Sequence, residues 1–198
     1  AIDGRTVNGV QESVGYLFQQ DALLPWKTAY QNVELGLRFR GVPEAERKAK
    51  ANAWLAKVGL AGFEHRYPHQ LSGGQRKRVQ MAQALIVEPK VILMDEPFSA
   101  LDIHTRHLMQ NELLRLWQED RRSVILITHD LEEAIALGDR VVVLSSGPAS
   151  RVVRSFDVDL ERPRNVAEIK LDERFTDLYR DIWACLRGEV EKSYARQD

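Results

Sequence analysis

The sequence predicts an α/β domain built on a mostly parallel sheet. Two nearly continuous aliphatic runs, "VILMDE" (91–96) and "SVILITH" (123–129), have the character of strands covered on both faces. Each ends in polar residues. Between them Met109, Leu113, Leu116 and Trp117 recur at i, i+4, i+7 and i+8, one face of a helix. "RVVVLS" (140–145) follows as a further strand, and the alternation of strand and helix is the grammar of an α/β core.

The remaining elements follow along the chain. "VGYLFQ" (14–19) is short, apolar and rich in β-branched and aromatic residues, and predicts a strand. A mixed segment holds "LLPWKTAYQNVELGLRFRG" (23–41). Pro43 opens a helix with Glu44 and Glu46 in its first turn, where the helix dipole favours anions. Ala51, Trp54, Leu55 and Val58 form its apolar face, and Gly59 stops it. "LSGGQRKR" (71–78) begins the next helix, which runs through "VQMAQALIV" to Pro89. Asp130 with Glu133 resembles a capping box for a helix ending near Gly138. "RVVRSFDVDL" (151–160) is an edge strand pair or an extended tail. A last helix places Phe175, Leu178, Tyr179, Ile182, Leu186 and Val190 on one stripe, which packs against the core.

Composition narrows the function classes. Lys+Arg is 28 and Asp+Glu is 29 in 198 residues, a net charge of -1 without the basic bias of a nucleic-acid binder. The single cysteine, Cys185, excludes an internal disulfide and suits a reducing compartment. No apolar run approaches the roughly 20 residues needed to span a bilayer. The start, "AIDGRTVNG", lacks the layout of a signal peptide and reads as mid-domain sequence, so the chain is expected to begin inside a longer gene product or fold.

Ligands of open parallel sheets bind beyond the carboxyl ends of the strands. Asp95 and Glu96 close one aliphatic run, and Thr128 and His129 close the other. An aspartate at such a strand end helps hold Mg²⁺ in phosphate-loop NTPases. A neighbouring glutamate can polarise a water. The plain alternative is that Asp95-Glu96-Pro97 merely ends a strand. Ser72-Gly73-Gly74-Gln75 satisfies a capping box, and its paired glycines would also let an anion approach the first backbone N–H groups of a helix. Both readings stand. The chain has no Gly-Lys dipeptide, hence no G-x-x-x-x-G-K-[ST] phosphate loop.

"LSGGQ" (71–75), "VILMDEPFSALD" (91–102) and "ITHD" (127–130), in that order, resemble the ATP-binding-cassette ATPases over nearly the whole chain. The resemblance implies a P-loop NTPase-like core with a helical subdomain, here N-terminally truncated. It implies segments of about 1–22 (strand and Q-loop), 23–88 (helical subdomain with signature), 89–150 (Walker B to switch histidine) and 151–198 (C-terminal strand and helix). Ser72, Gly73, Gly74 and Gln75 then match the signature that caps ATP held by a partner subunit. Asp95 matches the Walker B aspartate that holds Mg²⁺. Glu96 matches the catalytic base, and His129 the switch histidine at the terminal phosphate. Asp102 ends the D-loop Ser99-Ala100-Leu101-Asp102. Gln19 matches the Q-loop glutamine that senses Mg²⁺ and the membrane partner, with Gln20 as the one-residue-slip alternative.

"LLPWKTAYQNV" (23–33), "YPHQLSGGQ" (67–75) and "VDLERPR" (158–164) look like the importer ATPases for nitrate, sulfonate and taurine. The implied protein pairs with a second such ATPase, a homodimer, against transmembrane permease subunits on the cytoplasmic membrane face. An extracytoplasmic solute-binding protein acts with it indirectly, and no nucleic acid is involved. The missing Walker A string and adenine-stacking aromatic lead to the expectation that the chain alone binds ATP weakly and hydrolyses almost none. Two alternatives are a degenerate cassette that only donates its signature, and a non-transport cassette ATPase of DNA repair or translation. Gln83 stands where many members carry Arg. His104 and His107, and His65 and His69, are read as surface histidines without a metal pattern. "RKR" (76–78) is read as a helix face near the nucleotide.

Overall fold

The computed structural model describes residues 2, 4, 6–9, 11–147 and 149–194, the last five of these by backbone alone. They form two compact units, Ala1–Glu112 with Glu119–Ile127, and Leu113–Gln118 with Thr128–Asp198.

In the first unit, β1 (Val14–Leu17), β2 (Val91–Asp95) and β3 (Ser123–Ile127) make a parallel sheet in the order β1-β2-β3. Tyr16 lies opposite Leu93, and Asp95 opposite Ile127. Before the sheet can continue, the chain makes α1 (Ala29–Val33), α2 (Leu35–Phe39), α3 (Glu44–Lys57) and α4 (Gly73–Leu85). Pro43 stands at the N-cap of α3, with Glu44 and Glu46 in the first turn. Its predicted face is buried at Ala51, Leu55 and Val58. Gly59 ends it at φ +72°: Gly59 N–H donates to Ala56 O at 3.0 Å and Leu60 N–H to Leu55 O at 2.7 Å. That is the paired bonding of a Schellman stop, whose left-handed residue favours glycine. The core here gathers Leu17, Val33, Leu37, Val79, Met81, Leu85, Ile92 and Met94.

Burial on both faces holds for neither of the two predicted central strands in full. β2 alternates, with Ile92 and Met94 buried. β3 leaves Ile125 and Ile127 56% and 59% exposed, because it is the outer strand of the described sheet and pairs only with β2 among the described residues.

α5 (Ile103–Glu119) follows β2, with Met109, Leu113 and Leu116 buried as its spacing requires. The second unit contains α6 (Leu131–Leu137), β4 (Arg140–Leu144), β5 (Val152–Asp157) and α7 (Glu173–Tyr194). β4 does not extend the parallel sheet, as the run of strands implied; it pairs antiparallel with β5, Val141 opposite Phe156. Of the two readings of 151–160, the strand is the one formed. Val141, Val143, Phe156, Ile135, Phe175 and Ile182 share one core, against which Leu178, Tyr179 and Leu186 also pack. The α7 stripe therefore serves packing; the side chain of Val190 lies outside the described residues.

"VDLERPR" closes this unit. The Arg164 guanidinium, 6% exposed, donates to the carbonyls of Gly138 at 2.6 Å, Leu160 at 2.9 Å, Val158 and Ala136 at 3.3 Å and Ile135 at 3.4 Å. Several of these are the last carbonyls of α6, which a helix leaves without internal partners. Arg162 donates to Asp139 and Leu137 O and lies 4.3 Å over the Trp117 ring.

Candidate active site

The signature begins α4. Ser72 caps it: Gln75 N–H donates to Ser72 Oγ at 3.2 Å, and Ser72 N–H to Gln75 Oε1 at 2.9 Å. The capping box predicted from S-x-x-Q is formed in both directions. It leaves the N–H groups of Gly73 and Gly74 as donors at the helix end. The Ser72 O–H still has its proton to give.

The two glycines differ. A Cβ on Gly73 would meet Leu101 Cδ2 at 3.8 Å and Arg76 Nη2 at 3.9 Å, ordinary contact. A Cβ on Gly74 would stand 2.9 Å from Thr105 Cγ2 in the first turn of α5. Gly74 is thus required by the close approach of two segments. Gly73 has room for a Cβ at ordinary contact distance.

Asp95 and Glu96 lie at the carboxyl end of β2, as the sequence predicts. Glu96 turns the chain out of the strand at φ +41°, with its N–H donating to Ile127 O at 2.8 Å. The Ser99 O–H donates back to Glu96 O at 3.0 Å. Gln19, from the loop after β1, donates Nε2–H to Glu96 Oε2 at 2.9 Å and to Ser99 Oγ at 3.4 Å. Of the two candidate glutamines, Gln19 is the one whose side chain meets the carboxylate. Gln20 offers its backbone carbonyl to Gln80 Nε2 at 3.0 Å.

Tyr16 was not singled out in the sequence. Its phenol donates to Asp95 Oδ2 at 3.4 Å. Partial desolvation, and then the Asp95 charge, push the phenol up from its ordinary range. The signal was available only with the register: Tyr16 pairs with Leu93, which shares a strand face with Asp95.

Asp102 caps α5 by accepting the Thr105 N–H at 3.0 Å. Thr105, through its backbone and then its side chain, holds that carboxyl below the usual range. His129 is exposed in the second unit, next to Thr128, whose Oγ accepts the Asp130 N–H at 3.0 Å. Asp130 in turn accepts the Glu133 N–H at 3.1 Å and caps α6. His104 is exposed and His107 half-buried, and no group of three or more His, Cys, Asp or Glu is placed to hold a metal among the described residues.

The "RKR" run makes its contacts within the unit. Arg76 pairs with Asp21 at 2.5 Å and donates to Leu71 O at 2.7 Å. Lys77, only 3% exposed, donates to Phe18 O at 3.2 Å, and burial pushes its ammonium pKa down. Arg78 donates to Val58 O at 2.8 Å. Each cation finds its partner inside the unit.

Comparison with known proteins places this arrangement in a family. The ABC transporter family model matches residues 1–99, half of the chain. An uncharacterized ABC transporter ATP-binding protein of Methanocaldococcus jannaschii is 44% identical over 192 residues, covering 97% of this chain and 70% of the relative. A taurine import ATP-binding protein of Pseudomonas entomophila is 45% identical over 196 residues, covering 97% of this chain and 75% of the relative. A nitrate import ATP-binding protein of Synechocystis is 42% identical over 200 residues, covering 98% and 75%. A dimeric ATP-binding cassette solved in a post-hydrolysis state with ADP and Pi has a TM-score of 0.63 at 37% identity, over 75% of this chain and 64% of that one. The chain belongs to the ATP-binding subunits of ABC transporters, ABC-type ATPases of the P-loop NTPase fold.

The family match also corrects four linked expectations. It spans residues 1–99, and against it the expectation of a cassette without its N-terminal Walker A region is not kept. The truncated fold, the degenerate reading and the doubt about catalytic competence fall with it. The literal G-x-x-x-x-G-K-[ST] string is not spelled in residues 1–198.

Proposed function

We propose that this chain is the ATPase subunit of an importer for a small anionic or zwitterionic solute of the nitrate, sulfonate or taurine kind. The importer ATPases among its relatives support the solute class. The observation that carries the catalytic reading is the Gln19–Glu96 contact of 2.9 Å at the carboxyl end of β2.

Glu96 is the general base. Gln19 orients the carboxylate through Oε2, and the carboxylate takes a proton from the water that attacks the terminal phosphorus, giving ADP and phosphate. Asp95 and the Gln19 Oε1 fit Mg²⁺, a hard cation that takes oxygen donors and needs only one or two from protein when phosphates supply the rest. Held there, Mg²⁺ would supply neutralisation of charge on the phosphate oxygens. Tyr16 holds Asp95 by its second oxygen. Ser72 and Gly73, with O–H and N–H donors at a helix N-terminus, cap ATP held by the second subunit of a homodimer, and Gln75 holds Ser72 in place. Gly74 lets that turn seat against α5. Asp102 fixes the D-loop to α5, and His129 is the switch histidine at the terminal phosphate.

The segments 1–22, 23–88, 89–150 and 151–198 act as strand and Q-loop, helical subdomain, Walker B region and C-terminal region. A cleft of about 290 Å³ beside the Q-loop, lined among others by Phe18, Leu35, Phe39, Gln83 and Val87, supports docking of the permease there. A solute-binding protein acts through that permease. No helix among the described residues is long and apolar enough to cross a membrane, and attachment through the permease to its cytoplasmic face is the reading that goes with these partners.

The test is Glu96→Gln in the full-length protein. It keeps size and hydrogen bonding and removes the base. Steady-state hydrolysis is expected to fall at least about 100-fold, and size-exclusion chromatography with ATP and Mg²⁺ is expected to show a persistent dimer. An unchanged rate overturns Glu96 as base.

A further inference from the structure

Gln19 sits in a loop, and a loop side chain aims only as well as its backbone is held. The structure holds that backbone on both sides from one helix. The carbonyl before Gln19, Phe18 O, accepts from Lys77 Nζ at 3.2 Å. The carbonyl after it, Gln20 O, accepts from Gln80 Nε2 at 3.0 Å. One residue further, Asp21 pairs with Arg76 at 2.5 Å. All three donors lie within two turns of α4, the helix whose first residues are the signature.

We infer that Lys77 and Gln80 are positioning residues for the Gln19 side chain, so that the signature helix sets how Gln19 meets the carboxylate of Glu96. This deepens the reading of Glu96 and Gln19 given above and rests on it.

Two features of the donors call for more than packing. A lysine is rarely buried, and Lys77 is buried with its ammonium on the Phe18 carbonyl. Gln80 is buried too, yet its Oε1 has no hydrogen-bond partner among the described residues, so the amide is kept at a cost for its Nε2 donor. A methionine at either position would fill the space without an ionic or unsatisfied polar group. The peptide plane that leads into Gln19 and the one that leaves Gln20 are thereby tied down, and the Gln19 side chain is left to bridge Glu96 Oε2 and Ser99 Oγ. Any displacement of α4 when its N-terminus closes over ATP of the other subunit is passed to Phe18 O and Gln20 O. From there it passes to the base. The path is short and entirely within the first unit.

The experiment is a double-mutant cycle on the full-length protein. Lys77→Met and Gln80→Met are made singly, each in the wild-type and the Gln19→Ala background, and kcat and KM for ATP are measured. Each single variant is expected to lower kcat about tenfold with KM within about twofold. In the Gln19→Ala background the further loss is expected to vanish, because the side chain they position is gone. Gln80→Met guards against a folding failure of Lys77→Met, since it removes an unsatisfied acceptor and leaves Gln20 O, on an exposed residue, to water. Unchanged kcat in the variants that fold overturns the inference, and so does a loss that stays the same in both backgrounds. Glu96→Gln run in parallel separates the two claims: if it abolishes hydrolysis while the cycle shows no coupling, the base stands and the positioning role falls.

Discussion

Replacing Gly74 by alanine tests whether the paired glycines of the signature do different jobs. The new Cβ would lie 2.9 Å from Thr105 Cγ2, too close for two carbons. Thr105 is β-branched and stiff at χ1, and its N–H is held on Asp102 at 3.0 Å, so it yields little. Overpacking of this kind costs about 1–3 kcal/mol. Alanine recovers at most about 1 kcal/mol of helix propensity, and less in a first turn. The expected net loss is about 1–2 kcal/mol, or a Tm lower by about 2–8 °C for a chain of this size. Gly73→Ala meets only ordinary contacts, at 3.8 Å and beyond, so its stability is expected within about 0.5 kcal/mol of wild type. Its hydrolysis is expected to fall, because the methyl blocks the approach of a phosphate to the backbone N–H. Urea unfolding followed by circular dichroism measures both. Thr105→Ser removes the opposing methyl and keeps the hydroxyl, and in that background the cost of Gly74→Ala should disappear. A Gly74→Ala protein as stable as wild type, or equally damaged in the Thr105→Ser background, refutes the steric account.

Two further outcomes follow from the caps and the buried arginine. Arg164→Met removes the donor of five backbone carbonyls around the end of α6, and is expected to destabilise the second unit by about 3–5 kcal/mol, read as an earlier urea transition. Asp102 has its carboxyl pKa lowered by Thr105. Its contribution is full above the unfolded carboxylate range near pH ~4 and is lost as pH falls through the lowered folded value. The stability gap between wild type and Asp102→Asn should therefore narrow on acidification in that window; a gap that widens contradicts the sign.

The local grammar was legible. Ser72 with Gln75, Asp102 with Thr105, Asp130 with Glu133 and Gly59 all cap or stop helices, because each uses partners within about five residues. Periodicity found the buried faces of α3, α5 and α7 for the same reason. The pair Asp95-Glu96 was visible because an aliphatic run that breaks into acids marks a strand end. Where the sequence was silent, the deciding partner was distant. The three cations of "RKR" reach Asp21, Phe18 and Val58. Arg164 of "VDLERPR" is also the hydrogen-bond centre of the second unit.

Sequence by itself determined most of the elements and their ends, though not α1 and α2 in the mixed segment 23–41, and the motifs that identify the family. Tertiary structure decided that Gln19 and not Gln20 meets the Glu96 carboxylate, across 77 residues of chain. It decided that β4 pairs antiparallel with β5, that Tyr16 lies on Asp95, and that Gly74 is closed to a Cβ by Thr105 while Gly73 has room for one. Those choices depend on which surfaces come together, and no pattern of period 2 or 3.6 within one segment carries that information. The signature "LSGGQRKR" shows both halves: its cap was written in four adjacent residues, and the work of its lysine was fixed only by the loop it holds.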